Sequence, residues 1–417
     1  MAGMPVLAPM ISGVLRSPRL VLFGRGQRRA AGRLVGQLGR KAFVCTDGRV
    51  DQDPLLMSII DDLRGAGVDA RVFSGTVAEL PLSCVTEAIG YARRFGPDVI
   101  VGLGGGSSLD MSKVVAVGLA YGEPLSEFYG EFNVPGPTLP VIAIPTTSGT
   151  GSEVTPIAVL GDPSRTLKVG ISSPHLLPYA SICDPELTVS CPAALTAISG
   201  ADALTHALEA FTALRREPSA ALGLDHVFVG KNVFSDALAR QAIAALTGNL
   251  LSAWQEGDNI AAREQVMYGA LMAGQAFGMA GVTGAHAIQY PVGAVTHTAH
   301  GLGVATLEPY VMEFNRPACG PEFAEVSRLF GMEGGEHELA DAAPGLVADL
   351  FKAVGLPANL EQLGLAPDDI GTVSQRTLEV HRLLKNNPRV LDEPTLRIII
   401  QAAYDGDRQR LRGFGYL

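Results

Sequence analysis

Five short, β-branched runs are spaced by helical-period sequence through the first 190 residues. They read RLVLFG (19–24), KAFVCT (41–46), DARVFS (69–74), DVIVGL (98–103) and PVIAIP (140–145). Runs this apolar belong to strands buried on both faces. Their alternation with helices predicts a parallel sheet covered by helices on both sides. TPIAVL, LKVGIS and ASICD predict further short strands before residue 185. The texture then changes. From ALTAISGADALTHALEAF onward the chain carries mainly helical periodicity, and Pro185 and Pro192 bracket the change. The expected organisation is therefore α/β plus all-α, with a parallel-sheet domain over 1–190 and a helical domain over 191–417. GMEGGEHE (331–338) reads as a surface loop.

Composition narrows the function classes. Of 417 residues, 47% are apolar and 18% charged, which suits a globular chain with ample material for a core. A formal charge of −10 with no basic block argues against nucleic-acid binding, which needs a dense positive footprint. The five scattered cysteines form no CxxC, so neither a disulfide framework nor a thiolate zinc site is expected. MAGMPVLAPMISGVLRSPRL lacks the basic start of a signal peptide, and no apolar run is long enough to span a membrane. A cytoplasmic setting is the expectation.

Three loops after strands could hold a dinucleotide. In DVIVGLGGGSSLDMSK (98–113) a strand runs into glycines and then a helix start. Backbone N–H groups of Gly104, Gly105, Gly106, Ser107 and Ser108, with the helix dipole behind them, could cradle a pyrophosphate. The plain alternative is a turn that tightens strand–helix packing. VIAIPTTSGTGSEVTP (141–156) concentrates six hydroxyl residues and two glycines directly after a strand. Ligands of α/β proteins bind at that end of the sheet. Gly24 and Gly26 follow the first strand, and Asp47 closes the second. Asp47 could accept from ribose hydroxyls and repel a 2′-phosphate, favouring NAD over NADP, or it could be a turn aspartate.

In GADALTHALEAF (200–211) Asp202 and His206 share a helix face at i, i+4. Thr205 and Glu209 fall on the same side, so a solvated polar face explains the pattern as well as a metal site does. GAHAIQYPVGAVTHTAHGLG (284–303) then supplies His286, His297 and His300, with His286 and Tyr290 at i, i+4 and Pro291 placed to end or bend that helix. Asp202, His206, His286 and His300 together would make a one-carboxylate, three-imidazole site. Such a site suits Fe²⁺ or Zn²⁺ and leaves a position for substrate. A Lewis-acidic metal beside a dinucleotide implies hydride transfer.

The chain resembles the iron-dependent, group III alcohol dehydrogenases over most of its length. The resemblance rests on GGGSSLDMSK (104–113), PTTSGTGSEVT (145–155), DPELT (184–188), GADALTHALEAF, FSDALA (234–239) and the motifs around His286 and His300. It implies a dinucleotide-binding α/β domain, a helical domain and an active site in the cleft between them. Asp202, His206, His286 and His300 would be the metal ligands, and Gly104 to Ser107 the pyrophosphate loop. Asp110 and Lys168 would lie near the cofactor, with Thr146, Thr147 and Thr150 on the nicotinamide side. Asp47 matches the position that favours NAD.

Two features depart from the family pattern. Tyr290 stands where relatives commonly carry a histidine. Its ordinary pKa of about 10 makes it a poor base near neutrality, though it could relay a proton. Some relatives acting on hydroxy acids look similar here, which keeps an acidic substrate open. ALRREPSAALGLDHVFVGKN (213–232) is longer than the usual connection and reads as a tolerated surface insertion, with a role at the substrate mouth or a subunit contact as the alternative. His175, His226 and His297 match no ligand position.

The expected function is NAD- and metal-dependent hydride transfer between a small alcohol and its aldehyde, or a hydroxy acid or semialdehyde pair, in a homodimer or larger oligomer. A hydroxyacid–oxoacid transhydrogenase with retained NAD is one rival. A dehydroquinate-synthase-like lyase or cyclase is another, although the motifs are poor in the Lys and Arg that its substrate would need. A nucleotide-binding protein without chemistry is disfavoured by the apolar setting of the four ligands.

Overall fold

The computed structural model describes residues 11–50, 52–165 and 167–413. The five leading runs form strands β1 (Leu20–Phe23), β2 (Lys41–Cys45), β3 (Asp69–Phe73), β4 (Val99–Gly104) and, after the short β5 (Gly130–Glu131), β6 (Val141–Pro145). Helices α1 (Ala31–Leu38), α2 (Pro54–Gly65), α3 (Leu82–Phe95) and α4 (Gly106–Tyr121) alternate with them. Every residue of β4 and β6 is buried, as strands covered on both faces require.

With β9 (Ala180–Cys183), these strands make a six-stranded parallel sheet in the order β1-β9-β6-β4-β2-β3. From β2 the chain steps outward to β3, and from β4 it steps the other way to β6. The order therefore reverses between β2 and β4, which opens a crevice at their carboxyl ends.

TPIAVL and LKVGIS do form strands, β7 (Ile157–Leu160) and β8 (Val169–Ser172), but not in the main sheet. β7 pairs antiparallel with β8, and β8 pairs with β5, in a separate three-stranded sheet. The connection between β7 and β8 is too short for the crossover that a parallel pair demands.

From Ala193 the chain is helical: α5 (Ala193–Thr212), the single turn α6 (Leu222–Asp225), α7 (Val233–Gln255), α8 (Ile260–Ala280), α9 (Gly284–Thr296) and α10 (His300–Asn315). Then follow α11 (Gly320–Leu329), α12 (Glu336–Ala353), α13 (Asp369–Thr377), α14 (His381–Leu384) and α15 (Glu393–Asp405). Helix α5 packs against α7, α8 and α10 and is buried from Gly200 to Thr212. GMEGGEHE is exposed along most of its length and leads into α12. Among the described residues no helix is long and apolar enough to cross a membrane.

Pro291 neither ends nor interrupts α9, which runs on to Thr296. The lost N–H and ring clash of an interior proline are offset by burial, since Pro291 and its neighbours Ile288 and Val292 pack into the helical core. The helix stops at His297, whose left-handed φ of 56° and N–H bond to the Gly293 carbonyl form the C-terminal cap. The 213–232 segment is exposed through most of 214–226, but Val227, Phe228 and Val229 are buried. Its end is part of the structure rather than a tolerated excursion.

Candidate active site

The polar face of α5 is turned inward. Asp202, Thr205, His206 and Glu209 are all at most 5% exposed, so the solvated-face reading is overturned. Close packing brings the other candidate ligands to this face. A Cβ on Gly301 would lie 2.9 Å from the Ile198 carbonyl oxygen and 3.0 Å from the Asp202 Cβ. The start of α10, with His300, therefore approaches α5 as only glycine permits.

One ligand atom each from Asp202, His206 and His286 lies within 4.8 Å of the others. Asp202 Oδ1 is 4.0 Å from His206 Nε2 and 3.8 Å from His286 Nε2. Asp202 Oδ1 and His286 Nε2 are buried without a hydrogen-bond partner. Orphaned polar atoms this close together are costly unless a cation satisfies them, so the donor set fits a divalent metal. His300 stands beside the cluster, its ring centroid 5.2 Å from that of His286, and lines the same cavity.

Glu209, which the sequence reading left on the polar face without a role, organises this cluster. Its carboxylate sits 2.6 Å from His286 Nδ1 and accepts from the backbone N–H groups of Thr283, Ala285 and His286. It thus caps the start of α9 and fixes the imidazole with Nε2 facing Asp202. The i, i+3 spacing from His206 was its visible signal. Phe277 of α8 stacks on the His206 ring at 4.2 Å and was not foreseen.

The electrostatics keep two imidazoles neutral. Burial lowers His206 to about 4, against the opposing pull of Asp202, and lowers His300 to about 3. For His286, burial acts downward but the Glu209 carboxylate outweighs it and raises the pKa. Burial raises Tyr290, so its hydroxyl stays protonated at neutral pH and acts as a donor.

A cavity of about 450 Å³ joins this cluster to the carboxyl end of the sheet. Gly105, Gly106 and Ser107 line it at the start of α4. Gly104 does not line it; its φ of +149° and the tight approach of Ser108 make it the hinge that turns β4 into the loop. Thr147 and Thr150 line the wall, whereas Thr146 lies off it and donates its N–H to the Gly104 carbonyl. Asp110 touches the cavity but is engaged by the Ser152 hydroxyl and the Val159 N–H. Lys168 lines the wall in an ion pair with Glu79. Phe228, from the 213–232 segment, and Arg382 of α14 complete the metal end, and neither was anticipated.

Asp47 faces the same cavity at the β2–β4 crevice, where its carboxylate is forked by Arg49 at 2.9 and 2.8 Å. The paired guanidinium cancels much of the charge that was expected to repel a 2′-phosphate. His175, His226 and His297 do not line this cavity.

Residues 18–185 match the family described as iron-containing alcohol dehydrogenase, and residues 196–404 match the Fe-containing alcohol dehydrogenase family, C-terminal. The chain belongs to the iron-containing alcohol dehydrogenases. It is 35% identical to long-chain-alcohol dehydrogenase 1 of Geobacillus thermodenitrificans over 379 residues, 89% of this chain and 92% of the relative. It is 32% identical to the NAD-dependent methanol dehydrogenase of Bacillus methanolicus, over 93% of this chain and 98% of the relative. The crystal structure of a 1,3-propanediol oxidoreductase superposes with a TM-score of 0.88 at 31% identity, covering 94% of this chain and all of that one. An iron-containing alcohol dehydrogenase is an oxidoreductase that moves hydride between an alcohol–aldehyde pair and a nicotinamide dinucleotide. The parallel sheet followed by a helical bundle is its fold.

Proposed function

We propose that Asp202, His206, His286 and His300 hold one Fe²⁺ and that NAD(H) spans from Asp47 to the nicotinamide-side threonines. The observation that carries this reading is the buried convergence of Asp202, His206 and His286 with two donor atoms left unpartnered. Zn²⁺ fits the same donor set, so iron rests on the family. The chain would divide near residue 190, between β9 and α5, and the cleft at that division would be the active site.

A metal held there supplies Lewis-acid polarisation of the substrate oxygen. The chain's own residues do the rest. Gly105, Gly106 and Ser107 present N–H groups at the start of α4 to the pyrophosphate. Thr147 and Thr150 border the nicotinamide side. Glu209 keeps His286 in one tautomer. Phe277 and Val282 dry the reacting end, where the protonated Tyr290 hydroxyl can donate toward the substrate oxygen.

The test is metal analysis of the purified protein with a panel of alcohols and aldehydes under both nicotinamide cofactors. Chelation should abolish NADH-dependent aldehyde reduction and Fe²⁺ should restore it, with NADH preferred over NADPH by a margin that the pairing of Asp47 with Arg49 narrows. Full turnover in metal-free protein would remove the metal from the reading. Oxo-acid reduction driven by oxidation of a second hydroxy acid, without added cofactor, would instead favour the transhydrogenase.

A further inference from the structure

Arg382 is a cation without a carboxylate. Its guanidinium lies 4.6 Å from the centre of the Phe228 ring, on the wall of the cavity that holds Asp202, His206 and His286. Among the described residues it makes no ion pair and donates no hydrogen bond, although its side chain is half-buried. The other two cations on that wall are neutralised, Arg49 by Asp47 and Lys168 by Glu79. Helix α14 packs on α9, which carries His286 and Tyr290, and all three side chains line the same cavity, so Arg382 stands toward its metal end. The neighbour it touches there, Phe228, is apolar.

A half-buried guanidinium in a cavity shared with a cation site is partly desolvated and has no carboxylate paired to it. Stacking on Phe228 occupies one face of the guanidinium plane and leaves its in-plane donors free. Those donors form the planar fork that matches a carboxylate. One unpaired cation balances one negative charge, so a monoanion fits better than a phosphate dianion.

We propose that Arg382 selects a substrate that carries a carboxylate at the end remote from the reacting carbonyl, a short semialdehyde or oxo acid and its hydroxy acid. This inference rests on the dehydrogenase reading of the site. The chemistry is otherwise unchanged. Hydride adds to the carbonyl carbon, NADH becomes NAD⁺, a proton from solvent reaches the oxygen, and the carboxylate does not react.

The test measures kcat/KM with NADH on the metal-loaded enzyme for matched pairs: malonic semialdehyde against propanal, succinic semialdehyde against butanal, glutaric semialdehyde against pentanal. The wild type should prefer the acid of at least one pair by about tenfold or more. Arg382→Leu should lose roughly 10- to 100-fold on that acid, mostly in KM, and change the matched alkanal by less than about threefold. Arg382→Lys should restore part of the loss, and it also serves if the leucine variant folds poorly. Independently of turnover, the monoanion 4-hydroxybutyrate should bind the NADH-loaded wild type in calorimetry and not Arg382→Leu. Alkanal reduction with no preference for any acid, or equal losses on acid and alkanal, would overturn the role of Arg382 alone. A wild type that reduces neither class overturns the dehydrogenase reading beneath it.

Discussion

Glu209 does two jobs with one carboxylate: it accepts the first N–H groups of α9 and it holds the His286 ring. Replacing Glu209 with Gln keeps an acceptor near the ring but removes the charge that would make His286 a stronger ligand in the proposed metal site. Metal affinity in Glu209→Gln should fall by about 10- to 100-fold, read by chelator competition, while NAD affinity stays unchanged. Unaltered metal affinity would reduce Glu209 to a helix cap. A second buried carboxyl makes stability depend on pH. Burial pushes Glu153 up to about 7, above its ordinary 4.5, with Lys113 only partly opposing. The folded chain therefore binds this proton more tightly than the unfolded chain. The stability so gained is complete below pH 4.5 and is lost as pH rises through about 7. Gln never has to ionise in that site. The melting temperature of Glu153→Gln relative to wild type should rise between pH 5 and about pH 7 and level off above that, and a constant difference would exclude buried ionisation as the cause.

At the scale of elements, what could be read early was what short-range patterns encode. β-branched runs marked the strands, and glycines after β4 marked the loop that meets α4. The four proposed ligand positions were legible because i, i+4 spacing and a histidine-rich segment are local signals. Long-range partners decided the rest. The wheel of α5 showed which residues share a side, but the inward turn of that side depends on α8, α9 and α10, far along the chain. The separate sheet of β5, β7 and β8 was likewise invisible, because strand runs do not state which strand they pair with. Pro291 reads as a helix breaker until its burial is known. Arg49, Phe228, Phe277 and Arg382 carry no local mark at all, and only the fold brings them to the cavity. Glycines at two distant positions show the same dependence: a Cβ on Gly151 would lie 2.4 Å from the Gly274 Cα. The loop after β6 and helix α8 touch there backbone to backbone, so one residue's smallness is explained by another 123 positions away.

For the whole molecule, the consequence is a site assembled from two halves of the chain. The proposed dinucleotide loops follow β2, β4 and β6, and the proposed metal ligands come from α5, α9 and α10. Each ligand that binds only the folded state stabilises it by an amount set by its own concentration and affinity, about 2.7 kcal/mol at a hundredfold excess over Kd. The two contributions should therefore separate. In wild type, NAD alone should raise the melting temperature, and Fe²⁺ added anaerobically should raise it further. His206→Ala removes one ligand from α5 without touching the glycine loop or the threonines. It should keep the NAD shift, lose the iron shift and lose turnover. The imidazole it removes is held near pKa 4 by burial, so its loss takes away a neutral donor rather than a charge, and the fold should tolerate it at neutral pH. A variant that retains the full iron shift would place the metal elsewhere. One that loses both shifts would show that the two halves bind as a single cooperative unit.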